Sequence, residues 1–574
     1  MKFDDIIAHL GQFGPYQRRV YALICIPSIA IGMQTLSTVF TMAVPDHRCA
    51  LPSWPGDTYD AQNSAHADAI SSIIPPGDDD EKWSSCSMRK WQDSLAVNST
   101  LGALYQLNET SVSSNQTEGC GKWVYDKSIY KSTLISKLNL VCENKLGRSH
   151  VQMFFMLGSL LGTLILGPPA DYFGRRKVMV VTIFLHLAAS IAIAFTPSFA
   201  FLCFFSMLNG GAMSALYVVL YVIGMEFVGP KKRVYAGIII TVFFAVGVIL
   251  LVTGAYFIRN WQHLQLTMAS LSVIFVAYYW LVPESPRWLT NKGRYSEAEV
   301  ILRKAAKVNK KELSAKMLRW NEIEADGPVQ EPMWHILKYP RLVIRTLVIY
   351  FNWMVCSMAY YGISLNVADL AGNIYFNMML YGVVEVISYF LCLFSLDRLG
   401  RRRLHLLCMF VAGICCSLSP FPSLYLGSDF KWLNIALAVV GKAGVSAAFA
   451  TIWLYTSELF PTVVRNAGVS SSSLSAKVGG VIAPYIANLS LTLGGPVGDI
   501  LPLLIFGVAS LLAGGLSLLL PETTNVCLPD TLKDADRFGV RLRITSEEKS
   551  TEPGETVKLQ TTTNKSELSI LPDT

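Results

Sequence analysis

Charged side chains are scarce in this sequence. Asp, Glu, Lys and Arg make up 16% of the 574 residues, while apolar residues make up 52%. Typical soluble domains carry about 25% charged residues, and a soluble chain of this length needs more polar surface than this composition provides. The scarcity of charge therefore excludes a soluble globular protein and indicates a membrane protein.

Motifs for enzyme chemistry and metal binding are also missing. The eight histidines form no His-Glu-x-x-His motif and no close ligand pair, and no phosphate-binding glycine loop occurs. Cysteines outside segment 46–148 lack metal-ligand spacing and are interpreted as small apolar residues. The net charge of +7 accompanies no nucleic-acid-binding module. We therefore predict no enzyme activity, no metal site, no cofactor and no nucleic-acid partner, and leave sodium or proton coupling open.

Long stretches with few or no charges are present instead. A membrane-spanning helix needs about 20 apolar residues. The run 178–225 is long enough for two spans and breaks at Thr196-Pro197-Ser198, and three further stretches each contain one interior charge. The sequence therefore predicts an all-α membrane protein with twelve helices, numbered 1 to 12. They fall in 20–45, 151–170, 178–225 (two helices), 234–258, 260–283, 346–368, 370–396, 404–428, 432–457, 466–498 and 500–521.

Basic residues in short loops predict the orientation. Clusters at 175–177, 231–233 and 401–403 follow helices 2, 4 and 8, and such loops face the cytoplasm. Both termini are then cytoplasmic and segment 46–148 is extracellular. The predicted organisation is an N-terminal cytoplasmic segment 1–19, a six-helix bundle 20–283 that includes loop 46–148, a cytoplasmic linker 284–345, a second bundle 346–521 and a disordered cytoplasmic tail 522–574.

Segment 46–148 has two features typical of an extracellular loop. It carries several glycosylation sequons, and it contains four cysteines that an oxidising exterior would allow to pair. Two disulfide bonds are expected, and three pairings remain open. The sequons are at Asn98, Asn108 and Asn115, and the cysteines are Cys49, Cys86, Cys120 and Cys142.

Short charged motifs recur between the two predicted bundles. An Asp-x-x-Gly-Arg motif, a Glu/Arg pair seven residues apart and a Pro-Glu pair each occur twice, with offsets of 226, 232 and 238 residues. This pattern indicates a parallel repeat of two six-helix halves. The charges either only set topology or form a conformational gate that latches the halves together. The gate candidates are Asp171, Gly174, Arg175, Glu226, Arg233, Asp397, Gly400, Arg401, Glu458 and Arg465.

These motifs also carry a resemblance to a known family. The stretches ADYFGRRKV (170–178), PESPRWL (283–289), LDRLGRRRL (396–404) and YTSELFPTVVRN (455–466) resemble the major facilitator superfamily and, within it, solute carrier family 22. The opening stretch 3–21 and PDHRCALP (45–52) are similar to invertebrate organic cation transporters and their carnitine-transporting relatives. The resemblance implies the major facilitator fold, with a central cavity lined by helices 1, 4, 7 and 10.

Three charged residues lie inside the spans: Glu385, Lys442 and Lys477. A charge at a helix centre costs about 2.5–3.5 kcal/mol on insertion scales, so such groups usually face water or a partner. Lys477 lies about 17 Å along helix 11, near the middle of a core roughly 30 Å thick. All three are candidates for substrate binding, and the alternative is an ion pair of Glu385 with either lysine that only fixes packing.

Aromatic residues on helices 4, 7 and 8 are the other binding candidates, because a ring face attracts organic ammonium groups; packing is the alternative for each. The resemblance implies that Tyr360-Tyr361-Gly362 matches a cavity motif. It also places Lys477 where vertebrate cation carriers typically have Asp and where anion and carnitine carriers have Arg. The candidates are Tyr217, Tyr221, Trp353, Tyr360, Tyr361 and Tyr389.

Together these observations predict a glycosylated, multi-pass plasma-membrane transporter whose partners are the lipid bilayer and a small organic ion. The substrate is expected to be an organic cation or a carnitine-like zwitterion, moved by alternating access. An organic anion exchanger that uses Lys477 and Lys442 is the alternative.

Overall fold

Twelve long helices dominate the computed structural model, which describes residues 3–52, 54–77, 82–91, 112–314, 331–370, 372–425, 430–493, 495–524, 526 and 529–538. The helices follow the predicted order, and helix 6 continues through single turns to Leu281. Helices 1 to 12 are Pro15–Leu36, Gly147–Phe173, Arg175–Ala194, Phe199–Phe227, Arg233–Phe257, Trp261–Val273, Pro340–Leu365, Ile374–Leu399, Arg401–Leu418, Lys431–Leu459, Arg465–Ala487 and Gly495–Leu516.

Length and apolar composition qualify ten helices of the described chain as membrane spans. Helix 9 begins with three arginines, and helix 11 carries Arg465, Lys477 and a run of four serines, so both are more polar than the rest. Both are nevertheless packed among the spans: helix 9 against helices 10 and 12, and helix 11 against helices 2 and 7. The predicted class, an all-α multi-pass membrane protein, is confirmed.

The helix contacts repeat between the halves. Helix 1 packs against 5, helix 2 against 4, and helix 3 against 4 and 6; helix 7 packs against 11, helix 8 against 10, and helix 9 against 10 and 12. Adding six to each helix number in the contacts of the first half gives the contacts of the second half. The halves meet through helices 5 and 8 and through helices 2 and 11, which are equivalent pairs under the same rule.

Glycine allows the closest of these contacts, between helices 2 and 4. A Cβ atom built on Gly158 would lie 1.8 Å from the carbonyl oxygen of Met207, and one on Gly162 would lie 2.3 Å from that of Gly211. Gly158 and Gly162 are one turn apart and therefore share a helix face. Small residues with this spacing let two helix backbones approach inside a membrane.

The segment between helices 1 and 2 forms a small domain, here called the outer domain. The strand His47–Cys49 pairs antiparallel with Trp123–Tyr125, Ser87–Trp91 pairs with Val112–Gly119, and a helix spans Ser64–Ile73. We call the end of the bundle that carries this domain the outer end, and the end that carries the three basic loops the inner end.

Two disulfide bonds hold the outer domain, as predicted, and they select one of the three open pairings. Cys49 is bonded to Cys120 and Cys86 to Cys142. Asn98 and Asn108 lie outside the described residues, and Asn115 lies in the strand Val112–Gly119. Glycosylation stays a prediction.

A buried ion pair lies at the centre of the outer domain. The side chain of Arg48 is fully buried, and its Nη1 lies 3.1 Å from Oδ2 of Asp57. His66 Nε2 lies 2.9 Å from Oδ1 of the same carboxylate. Burial alone would raise the pKa of Asp57, but hydrogen bonds from Arg48, the Leu51 N–H and His66 outweigh it and hold the pKa below its usual value.

The predicted cytoplasmic segments contain short helices among their described residues. The N-terminal helix Phe3–Leu10 buries one apolar face, and Asp4 lies 2.7 Å from Arg233 at the start of helix 5. In the linker, the helix Tyr295–Asn309 packs beside it, and Asn309 Nδ2 donates to the Leu10 carbonyl at 2.9 Å. Residues 315–330 of the linker and 539–574 of the tail lie outside the described residues, so the predicted disorder of the tail stays a prediction.

Candidate substrate cavity

A cavity lies between the two halves, with walls from helices 1, 2, 4, 5, 7, 8, 10 and 11. Most of the wall is aromatic or aliphatic, and the polar atoms come mainly from serine, threonine and tyrosine hydroxyls. Six residues that the sequence predicts for substrate binding line it, namely Tyr217, Trp353, Tyr360, Tyr361, Tyr389 and Lys477.

Lys477 is the one charged side chain among the described residues that line this cavity. It is half-buried, and within the described part of the chain no hydrogen bond or ion pair joins it to another residue. The glycines after it bring helix 11 close to its neighbours: a Cβ on Gly479 would lie 2.1 Å from the Met354 carbonyl oxygen of helix 7. The cavity therefore contains an ammonium group that is available to a ligand.

Lys442 and Glu385 are paired with each other instead. Lys442 Nζ lies 3.6 Å from Glu385 Oε2 and donates to Ser364 Oγ at 2.7 Å, and both charged side chains are 1% exposed. The ammonium group also lies 3.2 Å from the centroid of the Tyr360 ring. Neither residue lines the cavity, so the ion-pair alternative describes Glu385 with Lys442 but not Glu385 with Lys477.

Glu385 also orients two tyrosines of the cavity wall. Its Oε1 accepts hydrogen bonds from the hydroxyls of Tyr360 at 2.8 Å and Tyr389 at 2.7 Å. Since the Glu385 carboxylate holds both hydroxyls, a ligand in the cavity meets the tyrosine rings rather than their hydroxyl groups. The carboxylate therefore acts on the cavity through these two rings.

Aromatic residues of helix 10 extend the wall, and the sequence reasoning missed them. Phe449 and Trp453 both line the cavity. The rings of Trp453 and Trp353 meet edge-on, with 4.6 Å between their centroids. Tyr221 contacts Trp453 at 5.7 Å without lining the cavity. Phe449 and Trp453 are four residues apart and therefore share one face of helix 10, which the resemblance places at the cavity. This spacing is the signal that could have identified them.

The predicted gate residues gather at the inner end, and in the first half they surround Arg175. Its guanidinium lies 2.7 Å from Asp171 and 3.3 Å from Glu226. Glu284 accepts the backbone N–H groups of Arg175 and Arg176 at 3.1 and 3.2 Å, at the start of helix 3. A carboxylate at this position accepts hydrogen bonds from the free N–H groups of the first helical turn, and its negative charge interacts favourably with the positive end of the helix dipole.

The second half repeats this arrangement around Arg401. Its guanidinium lies 3.4 Å from Asp397 and 3.1 Å from Glu458, and Glu522 accepts the N–H groups of Arg401 and Arg402 at 2.9 and 3.2 Å at the start of helix 9. Burial would raise the pKa of Glu522, but hydrogen bonds from Thr524, the Thr523 N–H and these two N–H groups outweigh it and lower the pKa.

Glycine makes both inner turns possible. Gly174 and Gly400 precede helices 3 and 9 with φ of 110° and 84°, a region that disfavours side chains. A Cβ on Gly174 would lie 2.6 Å from Glu284 Oε2, and one on Gly400 would lie 2.8 Å from Glu522 Oε2. The repeat found in the sequence is therefore repeated in backbone conformation and in hydrogen bonding.

These gate contacts connect helices within one half. Arg175 and Arg401 bind carboxylates of their own halves, Arg233 binds Asp4, and Arg465 donates to the Phe460 carbonyl at 3.3 Å. Hydrogen bonds between the halves lie at the outer ends of helices 2 and 11. These bonds close the outer end in this conformation. A latch between the halves at the inner end would belong to another conformation, so it stays a prediction.

Comparisons with known proteins agree with this architecture. A profile of the family described as "Sugar (and other) transporter" matches residues 90–530. An "Organic cation transporter protein" of Drosophila melanogaster is 39% identical, covering 94% of this chain and 95% of its own. "Solute carrier family 22 member 21" of Mus musculus is 32% identical, covering 94% of each. The chain belongs to solute carrier family 22.

This membership confirms the resemblance and identifies a membrane transporter rather than an enzyme. Another relative, "Organic cation/carnitine transporter 2" of Homo sapiens, is 33% identical, covering 92% of this chain and 93% of its own. Among solved structures, a xylose transporter from E. coli in an inward-open conformation superposes with a TM-score of 0.55 at 16% identity, covering 70% of this chain and 92% of its own. The major facilitator fold of this solute carrier family 22 member is thus confirmed.

Proposed function

We propose that this solute carrier family 22 member moves small organic cations and carnitine-like zwitterions across the plasma membrane by alternating access of its two halves. The observation that carries the proposal is the aromatic cavity between the halves, with Lys477 in its wall and no partner for this lysine among the described residues. The names of the relatives, organic cation and carnitine transporters, support the same substrate class.

The aromatic wall supplies the contacts for an organic ammonium group. Ring faces attract cations by about 0.5–2 kcal/mol, more when water is excluded. Glu385 is engaged by Lys442 and two tyrosine hydroxyls. The ammonium group is therefore assigned to rings such as Tyr361 and Trp453, instead of to the Glu385 carboxylate that the sequence suggested.

Lys477 supplies a contact for a carboxylate. An ammonium group is a compact charge that binds a carboxylate as a point charge, without the bidentate geometry of arginine. A zwitterion would place its carboxylate at Lys477 and its ammonium group among the rings. A simple cation would use the rings alone and would be repelled by Lys477.

The proposed sidedness places the inner end in the cytoplasm, with both termini, because the basic loops lie at that end. The outer domain, with its disulfides and sequons, then faces the exterior. The organic anion exchanger has less support: Lys442, one of its two cations, is neutralised by Glu385 away from the cavity. The relatives' names also favour cations.

The proposal is tested by uptake into cells of labelled carnitine, tetraethylammonium and an aromatic carboxylate. In the variant Lys477→Asp we expect carnitine uptake to fall about tenfold or more, because hydrogen bonds to charged groups are worth about 1.5–3 kcal/mol. Tetraethylammonium uptake should be unchanged or increase. Lys477→Arg, which keeps the charge, is the matched control, and surface biotinylation corrects for expression.

Unchanged carnitine uptake by Lys477→Asp at normal surface expression would disprove the carboxylate contact. Uptake of the aromatic carboxylate alone by the wild type would replace the proposal by the anion exchanger. Replacement of external sodium by lithium, and a change of external pH, in the same assay determine whether sodium or protons are coupled to transport.

A further inference from the structure

Four aromatic rings meet at the outer end, where the halves touch. Tyr375, in the first turn of helix 8, belongs to the second half and is 8% exposed. Its ring stacks on the ring of Phe40, which follows helix 1, with 5.4 Å between the ring centroids. It meets the Tyr256 ring of helix 5 edge-on, with a centroid distance of 5.6 Å, and the centroid of the Tyr130 ring in the outer domain is 6.4 Å away. One ring of the second half therefore fills an aromatic cup made by the first half and the outer domain.

The contact depends on the rings and not on hydrogen bonds. Among the described residues, no group forms a hydrogen bond with the buried hydroxyls of Tyr130 and Tyr375. A buried polar group without a partner is unfavourable, and it regains its hydrogen bonds when water reaches it. The closed contact therefore contains a built-in bias towards opening, unlike a permanent core contact.

Tyr375 is held in position by its own helix. The side chain of Asn373 caps helix 8 and accepts hydrogen bonds from the N–H groups of Tyr375 at 2.9 Å and Phe376 at 3.4 Å. Phe376, the next residue, is 61% exposed on the outside of the bundle. A movement of helix 8 away from helix 5 would thus withdraw Tyr375 from the cup as a rigid unit.

Tyr130 is fixed to the first half through the backbone. The N–H of Lys131 donates to the Arg259 carbonyl at 3.0 Å, and the N–H of Trp261 donates to the Ser132 carbonyl at 3.2 Å. These bonds join the outer domain to the connection between helices 5 and 6. The outer domain therefore moves with the first half, and its Tyr130 ring faces the second half.

We propose that Tyr375 and the cup of Phe40, Tyr130 and Tyr256 form the outer gate, and that the outer domain is a moving part of this gate through Tyr130. The proposal rests on transport by alternating access, because that cycle requires the outer ends to separate. It assigns a role in the transport cycle to the disulfide-bonded outer domain.

The test measures opening without any substrate. A cysteine is introduced at the cavity residue Ser357, and its reaction with a membrane-impermeant thiol reagent added outside is timed in intact cells. Tyr375→Ala should increase the reaction rate about tenfold, because loss of a contact made only in the closed state shifts the population towards the open state. Protein without the introduced cysteine gives the background.

Control variants separate the gate from general damage. Tyr375→Phe and Tyr130→Phe keep the rings and remove a buried hydroxyl that has no partner among the described residues, so both should react no faster than the parent. Phe376→Ala should match the parent. Tyr130→Ala should react faster, and the double variant Tyr130→Ala/Tyr375→Ala no faster than Tyr375→Ala alone, because both changes remove the same contact.

A parent-like rate for Tyr375→Ala at normal surface expression would overturn the gate. A parent-like rate for Tyr130→Ala, with Tyr375→Ala fast, would overturn the part assigned to the outer domain. An equal increase from Phe376→Ala would trace the effect to helix 8 as a whole and also overturn the gate. Because no substrate is used, a wrong substrate class would leave these results unaffected and would show only in the uptake assay.

Discussion

Lys442 and Lys477 both lie within the membrane-spanning bundle, but Lys442 is buried, Lys477 is half-buried, and their partners differ. Lys442 is neutralised by Glu385, bonded to Ser364 and covered by the Tyr360 ring. Lys477 faces the cavity, with no partner among the described residues. An unpaired charge in a low-dielectric setting is costly, so its retention is more readily explained by binding than by stability.

The buried pair predicts opposite effects for single and double substitutions. Glu385→Gln leaves Lys442 buried without its counter-charge and should destabilise the protein by about 3–5 kcal/mol, whereas Glu385→Gln with Lys442→Met should recover most of this loss. Thermal unfolding of the purified protein in detergent measures both. Lys477→Met is the control and should not lower stability. A double variant as unstable as the single one would contradict the pairing.

The Arg48–Asp57 pair predicts an acid-resistant outer domain. Because the pKa of Asp57 is lowered in the folded state, its stabilisation is fully present above the ordinary aspartate pKa of about 3.9 and is lost only as the pH falls through the lower folded value. Asp57→Asn, which leaves Arg48 buried and unpaired, should make the outer domain sensitive to protease on intact cells at neutral pH. The wild type should resist the same protease down to about pH 5.

The matched control is Asp60→Asn, since the carboxylate of Asp60 is 78% exposed. Equal protease resistance of Asp57→Asn and Asp60→Asn would contradict a structural role for the ion pair.

Individual residues were partly predictable. The sequence identified Glu385, Lys442 and Lys477, because charges inside apolar runs are conspicuous. It could not decide which lysine pairs with Glu385, since Glu385 and Lys442 lie on different helices, 57 residues apart, and meet only where helices 8 and 10 pack. Trp453 carried no such mark, because an aromatic residue in a membrane helix is normal whichever way it faces.

Helices 3 and 9 begin in the same way: a glycine with positive φ, two arginine N–H groups and a carboxylate from the segment after the sixth helix of that half. The carboxylate compensates the positive helix end, and the glycine leaves room for it. This element fixes the inner end of helix 9 to the segment that follows helix 12, and that of helix 3 to the segment that follows helix 6.

In the turn before helix 9, we expect the addition of a single methyl group to lower the stability of the protein strongly. In Gly400→Ala the new Cβ would lie 2.8 Å from Glu522 Oε2, at a φ of 84°. We expect a loss of about 1–3 kcal/mol of stability and reduced transport, because a strained backbone and a displaced cap act together. Gly515→Ala in helix 12 is the control, since a Cβ there meets no atom within 4 Å.

A neutral Gly400→Ala, measured by thermal unfolding in detergent, would show that the cap tolerates displacement. A destabilising Gly515→Ala would mean that the assay reports glycine substitution in general.

Elements were more predictable than contacts. Apolar runs indicated all twelve helices, and most of the predicted ends lie within a few residues of the observed ends. The outer ends of helices 1, 9 and 11 were predicted 9 to 11 residues too late, at 45, 428 and 498 instead of Leu36, Leu418 and Ala487, because apolar residues continue beyond these helices and no charge marks where they stop. The repeated motifs gave the two halves. The partners of the motifs were not predictable: Arg233 binds Asp4 of the N-terminal helix, a contact that no spacing within the repeat could reveal.

The whole molecule is closed at the outer end by contacts between helices 2 and 11 as well as by the aromatic cup. Asn488 Nδ2 donates to Ser149 Oγ at 3.0 Å, and the hydroxyl of Tyr485 and Nδ1 of His150 are 2.8 Å apart. Both contacts must break if the outer end opens. They therefore offer a direct test of whether opening is part of transport.

A cross-link across this contact should stop transport. In the variant with Ser149→Cys and Asn488→Cys, a bifunctional methanethiosulfonate reagent, which joins the two thiols through two disulfide bonds with release of sulfinate, should abolish uptake. A mild reductant that leaves wild-type uptake unchanged cleaves these disulfides and should restore it. Each single variant serves as the control and should keep its uptake after the same treatment. Continued uptake by the cross-linked protein would contradict separation of helices 2 and 11 during the cycle.

The charge of Lys477 in the cavity wall also has an electrical consequence for the carrier. An empty cavity that retains a protonated lysine carries a positive charge. When the two halves rock, this charge is exposed to one side of the membrane and then to the other. A unit charge that crosses the whole field is worth about 2.3 kcal/mol per 100 mV. We therefore expect the membrane potential to act on the return of the empty transporter as well as on the loaded step, so that voltage sets the resting orientation.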